Sequence, residues 1–110
     1  MSAISTHVLD TARGRPAAGV PVVLELQTAP GQWEKLGAGG VTDADGRIAA
    51  LLPPGVSLRA GIFRLTFDTS ACYQDFYPCV TVVFRVDDPA RHYHVPLLLS
   101  PYGYTTYRGS

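Results

Sequence analysis

Punctuation constrains this chain more than any single motif. Eleven Gly and nine Pro are scattered through 110 residues, and no long window keeps helical periodicity free of them. Between the breaks lie short apolar or alternating runs at 4–9, 20–26, 33–36, 48–51, 62–67, 80–86, 93–99 and 104–109. Their β-branched and aromatic residues suit strands. Seven to eight strands at this spacing predict an all-β sandwich of two sheets. Helix has room for one or two turns at most, over residues 70–75. Asp87-Asp88-Pro89 and Leu52-Pro53-Pro54-Gly55 read as turns. No repeat, low-complexity tract or linker interrupts 1–110, which reads as a single domain.

Successive side chains of a strand point to opposite faces. In 4–9, Ile4, Thr6 and Val8 share the face expected to enter the core. Ser5, His7 and Leu9 share the other, which turns His7 outward. Near the end of the chain, His92, His94 and Pro96 fall on one face and Tyr93, Val95 and Leu97 on the opposite one. An outward face with Leu9, Pro96 and Leu98 beside histidines is too apolar for plain solvent. It is expected to be a subunit surface enclosing a cleft. Trp33, Phe63, Phe67, Phe76 and Phe84 are expected in the core.

Charge narrows the function classes. Nine basic and nine acidic residues cancel, and the bases form no run, so neither nucleic acid nor a membrane surface is an expected partner. No run is long enough to cross a bilayer, and residues 1–7 lack the pattern of a signal peptide; the expected location is the cytoplasm. Cys72 and Cys79 match no zinc or redox spacing and are expected to stay unpaired thiols. Asp43-Ala44-Asp45-Gly46 mimics the start of a calcium loop, but the later oxygen ligands are missing, so no metal site is expected.

The stretch from His92 to Ser110 concentrates the chemistry: two imidazoles at strand spacing, several tyrosines, a guanidinium and terminal hydroxyl and carboxylate groups. An imidazole titrates near neutrality and can take a proton from water and return it to a leaving group. Arg47, directly after Asp-Gly, offers a planar fork of donors suited to an anion with several carbonyls. Taken alone, each has an ordinary reading as well. His7 could be a plain strand histidine, Arg47 the first exposed residue after a turn, and Ser110 a frayed end.

A family resemblance raises the sharper readings. Ser5-Thr6-His7-Val8-Leu9-Asp10, with Gly14 and Pro16-Ala17, resembles the opening signature of the transthyretin family. Thr42-Asp43-Ala44-Asp45-Gly46-Arg47, His92-Tyr93-His94-Val95-Pro96 and Tyr107-Arg108-Gly109-Ser110 resemble its enzymatic branch, the 5-hydroxyisourate hydrolases. That resemblance implies a prealbumin-like sandwich of eight strands with one short helix. It also implies a homotetramer of dihedral symmetry whose central channel holds the active sites. The implied reaction opens the six-membered ring of 5-hydroxyisourate to 2-oxo-4-hydroxy-4-carboxy-5-ureidoimidazoline, on the route from urate to allantoin, with no metal or cofactor.

Matched residue by residue, His7, Arg47, His94 and Ser110 fall at the family's catalytic positions, and His7, Arg47 and Tyr107 at its substrate-binding positions. The passage 69–78 is shorter than the family norm and Cys79 stands where an acidic residue is usual, so the resemblance does not fix the helix. His92 is less regularly a histidine and is left out of the catalytic set. Two other readings remain: a transthyretin-type carrier of a small hydrophobic ligand, and an accessory sandwich domain of the kind appended to peptidases. The carrier has no need of the histidine–arginine–histidine set. The accessory domain predicts a monomer without outward histidines.

Overall fold

The structure, a computed structural model, describes residues 3–110. Its ten strands run in chain order as β1 (Ile4–Asp10), β2 (Arg15–Pro16), β3 (Pro21–Ala29), β4 (Gln32–Lys35), β5 (Gly40–Val41), β6 (Arg47–Ile48), β7 (Gly61–Phe67), β8 (Val80–Val86), β9 (Tyr93–Ser100) and β10 (Gly103–Thr106). Eight of them correspond to the runs read from the sequence. The other two, β2 and β5, have two residues each, too short to leave a pattern of apolar alternation. Among the described residues no helix is long and apolar enough to cross a membrane. The only helical turn among them is a 3-10 turn at Thr69–Ala71, opened by Asp68, whose carboxylate accepts from the Ser70 backbone.

The strands form two five-stranded sheets. One runs β10-β9-β1-β2, with β6 also pairing to β1; the other runs β4-β3-β7-β8, with β5 also pairing to β3. All pairings are antiparallel except β1 with β9, which lie parallel from Ile4–Tyr93 to Asp10–Leu99. Alternation in each strand supplies the core. Ile4 and Val8 of β1 and Leu97 of β9 meet Leu24 of β3 and Leu65 and Phe67 of β7, all fully buried. Burying one such side chain is worth about 1.5–3 kcal/mol.

Two aromatic expectations need correction. Phe76 is 63% exposed, because it lies in the irregular loop before β8, where no parity directs it inward. It packs edge-on against Tyr77, which in turn meets Tyr104. Trp33 is only half-buried on the outer side of β4, where the Arg64 guanidinium lies 4.3 Å above its ring. Arg64 also donates to Glu25 at 2.7 Å, so the tryptophan covers an ion pair rather than filling the core. Phe63 and Phe67 are buried as expected, and Phe84 stacks on Phe63 at the core's edge.

Buried polar groups tie the loops to this frame. Asp10 closes β1 in the interior and accepts from the Tyr73 hydroxyl and from the Arg13 backbone and guanidinium. Burial pushes its carboxyl up, but these bonds outweigh that effect and hold it below the usual value. Cys72 and Cys79 are free; burial, then the nearby Asp10 charge, pushes the Cys72 thiol up, which favours the protonated form. Thr42 anchors the segment that leads to Arg47. Its buried hydroxyl donates to the Ala17 carbonyl at 2.7 Å and accepts from the Val20 amide at 2.9 Å. Thr42→Val keeps the shape and strands both partners. It is expected to lower unfolding free energy by about 1–3 kcal/mol, read as a shifted urea midpoint at unchanged slope.

Candidate active site

The site grows from β1, which has β9 on one side and β2 and β6 on the other. Ser5 lies opposite His94 of β9, while His7 lies opposite Pro96 of β9 and Arg47 of β6. Residues paired across a ladder share a face, as do residues two apart along a strand. Ser5, His7, Arg47, His94 and Pro96 therefore stand together on the outer face of this sheet. An isolated bridge brings Gly109 opposite His94, with the Gly109 amide donating to the His94 carbonyl at 2.8 Å. Between β10 and that bridge the ladder breaks where Pro96 has no N–H to offer. Its carbonyl accepts instead from the Thr106 hydroxyl at 2.8 Å.

Arg47 is aimed by the turn before it. Asp43 Oδ1 accepts from the backbone amides of Asp45 and Arg47, each at 2.9 Å, and the Gly46 amide donates to the Asp43 carbonyl. This is the physical content of the calcium-like spelling: the first aspartate closes a turn. Gly46 sits at φ +74 with its carbonyl accepting from the Val8 amide, and a Cβ there would meet the Val8 oxygen at 2.4 Å. Only glycine fits. Among the described residues, Arg13, Arg64 and Arg91 have carboxylate partners, whereas no carboxylate pairs with Arg47. Its fork is open to an anion.

Ser5, Arg47, His92, His94 and Ser110 line a single cleft of about 330 Å³. The buried Ser5 hydroxyl sits 2.8 Å from His94 Nδ1 and 2.9 Å from His92 Nε2. His7 stands beside this cleft on the same face, its Nε2 donating to the Asp45 carbonyl at 2.9 Å. A carbonyl only accepts, so Nδ1 is the basic nitrogen of a neutral His7. Tyr107, 55% exposed, opens into a neighbouring recess of about 220 Å³ that shares His94 as a wall. Arg108 lies over the Tyr93 ring at 4.5 Å. One chain thus brings Arg47, His94 and Ser110 around one cleft, with His7 and Tyr107 at its margins.

Burial pushes the His94 imidazole below the usual histidine value, and positive charge on His92, His7 and Arg47 pushes it the same way. His94 is therefore neutral at neutral pH, the form a proton acceptor needs. Ser5 and His92 carried no role in the sequence reading. The signal was present in parity, since each lies two residues before a singled-out histidine on the same face.

The comparisons with known proteins bear on this geometry. Residues 4–109 match the model of the HIUase/Transthyretin family. The chain belongs to that family. It is 45% identical to 5-hydroxyisourate hydrolase of Mus musculus, covering 99% of this chain and 96% of the relative. It is 43% identical to the enzyme of the same name from Deinococcus radiodurans, covering 97% and 95%. Among solved structures, 5-hydroxyisourate hydrolase of Klebsiella pneumoniae superposes with TM-score 0.81 at 38% identity, covering 99% and 100%. Sea bream transthyretin in complex with thyroxine superposes with TM-score 0.85 at 36% identity, covering 97% and 94%.

The family frame leaves the local electrostatics as the testable part. In an NMR titration His94 is expected to protonate below 6.5, and His92→Gln to raise its midpoint by removing one opposing charge. Because the folded value is lowered, stability from a neutral His94 is present above the unfolded value and lost as pH falls through the folded one. Gly109→Ala would set a Cβ 2.6 Å from His94 Cδ2. It is expected to displace the ring, seen as a shift of the His94 resonances, with the thermal midpoint nearly unchanged.

Proposed function

We propose that this chain hydrolyses 5-hydroxyisourate to 2-oxo-4-hydroxy-4-carboxy-5-ureidoimidazoline, using its own side chains without metal or cofactor. The observation that carries this reading is the outward cluster of His7, Arg47 and His94 on one sheet face, around a cleft with an arginine unmatched by carboxylate. Relatives bearing the hydrolase name at 43–45% identity over nearly the full chain support it.

In this mechanism the Arg47 fork holds substrate carbonyls and stabilises the oxyanion that forms when water attacks. Neutral His94 takes a proton from that water. The tetrahedral adduct collapses, the ring carbon–nitrogen bond breaks, and the proton passes to the leaving nitrogen. His7 orients the substrate or water with its free Nδ1, Tyr107 offers an aromatic edge to the flat heterocycle, and Ser110 closes the cleft floor. The assembly is a homotetramer. His7 and Tyr107 lie at the margins in one chain, so a facing copy would join cleft and recess into one chamber.

The second reading is a transthyretin-type carrier, favoured by the superposition on thyroxine-bound sea bream transthyretin. Turnover separates the two. Hydroxyisourate made from urate by urate oxidase is followed by its ultraviolet absorbance, and this protein is expected to hasten its decay. His94→Ala and His7→Ala are each expected to cut kcat about 10²–10⁴-fold, the usual share of acid–base catalysis. Wild-type protein that leaves the decay unchanged, yet binds a hydrophobic ligand, would establish the carrier instead. Gel filtration at micromolar concentration is expected to give a tetramer; a monomer would remove the shared chamber.

A further inference from the structure

A hydroxyl has one proton. Ser5 touches an imidazole nitrogen on each side, at 2.8 and 2.9 Å, so it can accept from one ring while donating its proton to the other. The two imidazoles lie nearly parallel, 19° apart with centroids at 6.4 Å, and Ser5 is buried on β1 opposite His94 of β9, with His92 just before that strand. The chain His94 Nδ1–Ser5 Oγ–His92 Nε2 runs from a half-buried ring in the cleft to an exposed one. Such a chain has two states, related by moving both protons one step.

We propose that Ser5 and His92 form a proton relay behind His94, with His92 as the store that holds the proton between the two halves of the reaction. This deepens the hydrolase reading and rests on it. In the resting state His94 Nδ1–H donates to Ser5, Ser5 donates to a bare His92 Nε2, and His94 Nε2 is the free base. As water attacks, its proton moves to His94 Nε2. The Nδ1 proton passes to Ser5 Oγ, and the Ser5 proton passes to His92 Nε2. His94 stays neutral throughout and His92 carries the positive charge. When the carbon–nitrogen bond breaks, the three protons step back: His92 to Ser5, Ser5 to His94 Nδ1, and His94 Nε2 to the leaving nitrogen. No proton is gained or lost by the protein over the cycle.

The surroundings favour this division of labour. The cationic groups facing His94 are His7 from β1, Arg47 from β6 and His92 from its own segment, while on the remaining side Gly109 leads to Ser110, whose terminal carboxylate lines the same cleft. A cation on His94 would sit half-buried against that set. On His92 it is solvated. Ser5 is a positioning residue in this scheme, because it reaches substrate only through His94, and it also fixes which His94 nitrogen is basic.

Kinetics and tautomers test the relay separately. Ser5→Ala and His92→Ala are each expected to lower kcat roughly 10²-fold while KM holds. Ser5→Thr, which keeps the hydroxyl, is expected to retain most activity. Added imidazole is expected to restore His92→Ala but not Ser5→Ala. Nitrogen-15 spectra, which need no turnover, are expected to show His94 as the Nδ1–H tautomer in the wild type and as a mixture in Ser5→Ala. A His92→Ala enzyme with wild-type kcat, or a loss that imidazole cannot restore, overturns the store. A His94 tautomer unmoved by Ser5→Ala overturns the coupling. Wild-type protein without hydrolase activity would instead overturn the functional reading, whatever the spectra show.

Discussion

The parallel ladder between Ile4–Asp10 and Tyr93–Ser100 is the constraint on which the site depends. It is the single parallel pairing among the described strands, and it closes the longest loop they form. Parallel neighbours cannot be joined by a tight turn, so the intervening chain must build the second sheet before returning. That return sets Ser5 beside His94, 89 residues away in sequence, at hydrogen-bond distance. A one-residue slip would move every histidine in the ladder to the wrong face. Register is therefore guarded by the core, where Ile4, Val8 and Leu97 leave no room for an imidazole.

The opposite edge of β1 shows a different solution to the same problem. β6 has only two residues, too few to hold its own place by ladder bonds. Its position comes from the turn before it, where Asp43 and Gly46 close the backbone and Thr42 fastens it to residues 17 and 20. Arg47 is held at its backbone by these bonds, and its guanidinium makes no ion pair among the described residues.

Much of this was legible in the sequence. Period-two alternation in 4–9 turns His7 away from the core, and the same rule groups His92 with His94 and Pro96; both assignments stand in the structure. The sandwich followed from Gly and Pro spacing. What alternation does not reveal is which strands are neighbours, because parity is a property of one strand alone. That is why Ser5 went unassigned: its importance lies in the partner opposite. Phe76 failed for a related reason, since hydropathy marks a residue as able to be buried but a loop supplies no face to bury it. Trp33 was misread because the cation over its ring comes from β7, two strands away in the same sheet.

The span of that first-to-late strand pairing has a consequence for how the protein is made. Local hairpins such as β7–β8 and β9–β10 close early, whereas the β1–β9 contact must wait for the chain to bring distant ends together. The contacts of Ser5 with His92 and His94 exist only where that ladder is closed. Any site built on that contact is therefore a property of the complete fold and not of its separate hairpins.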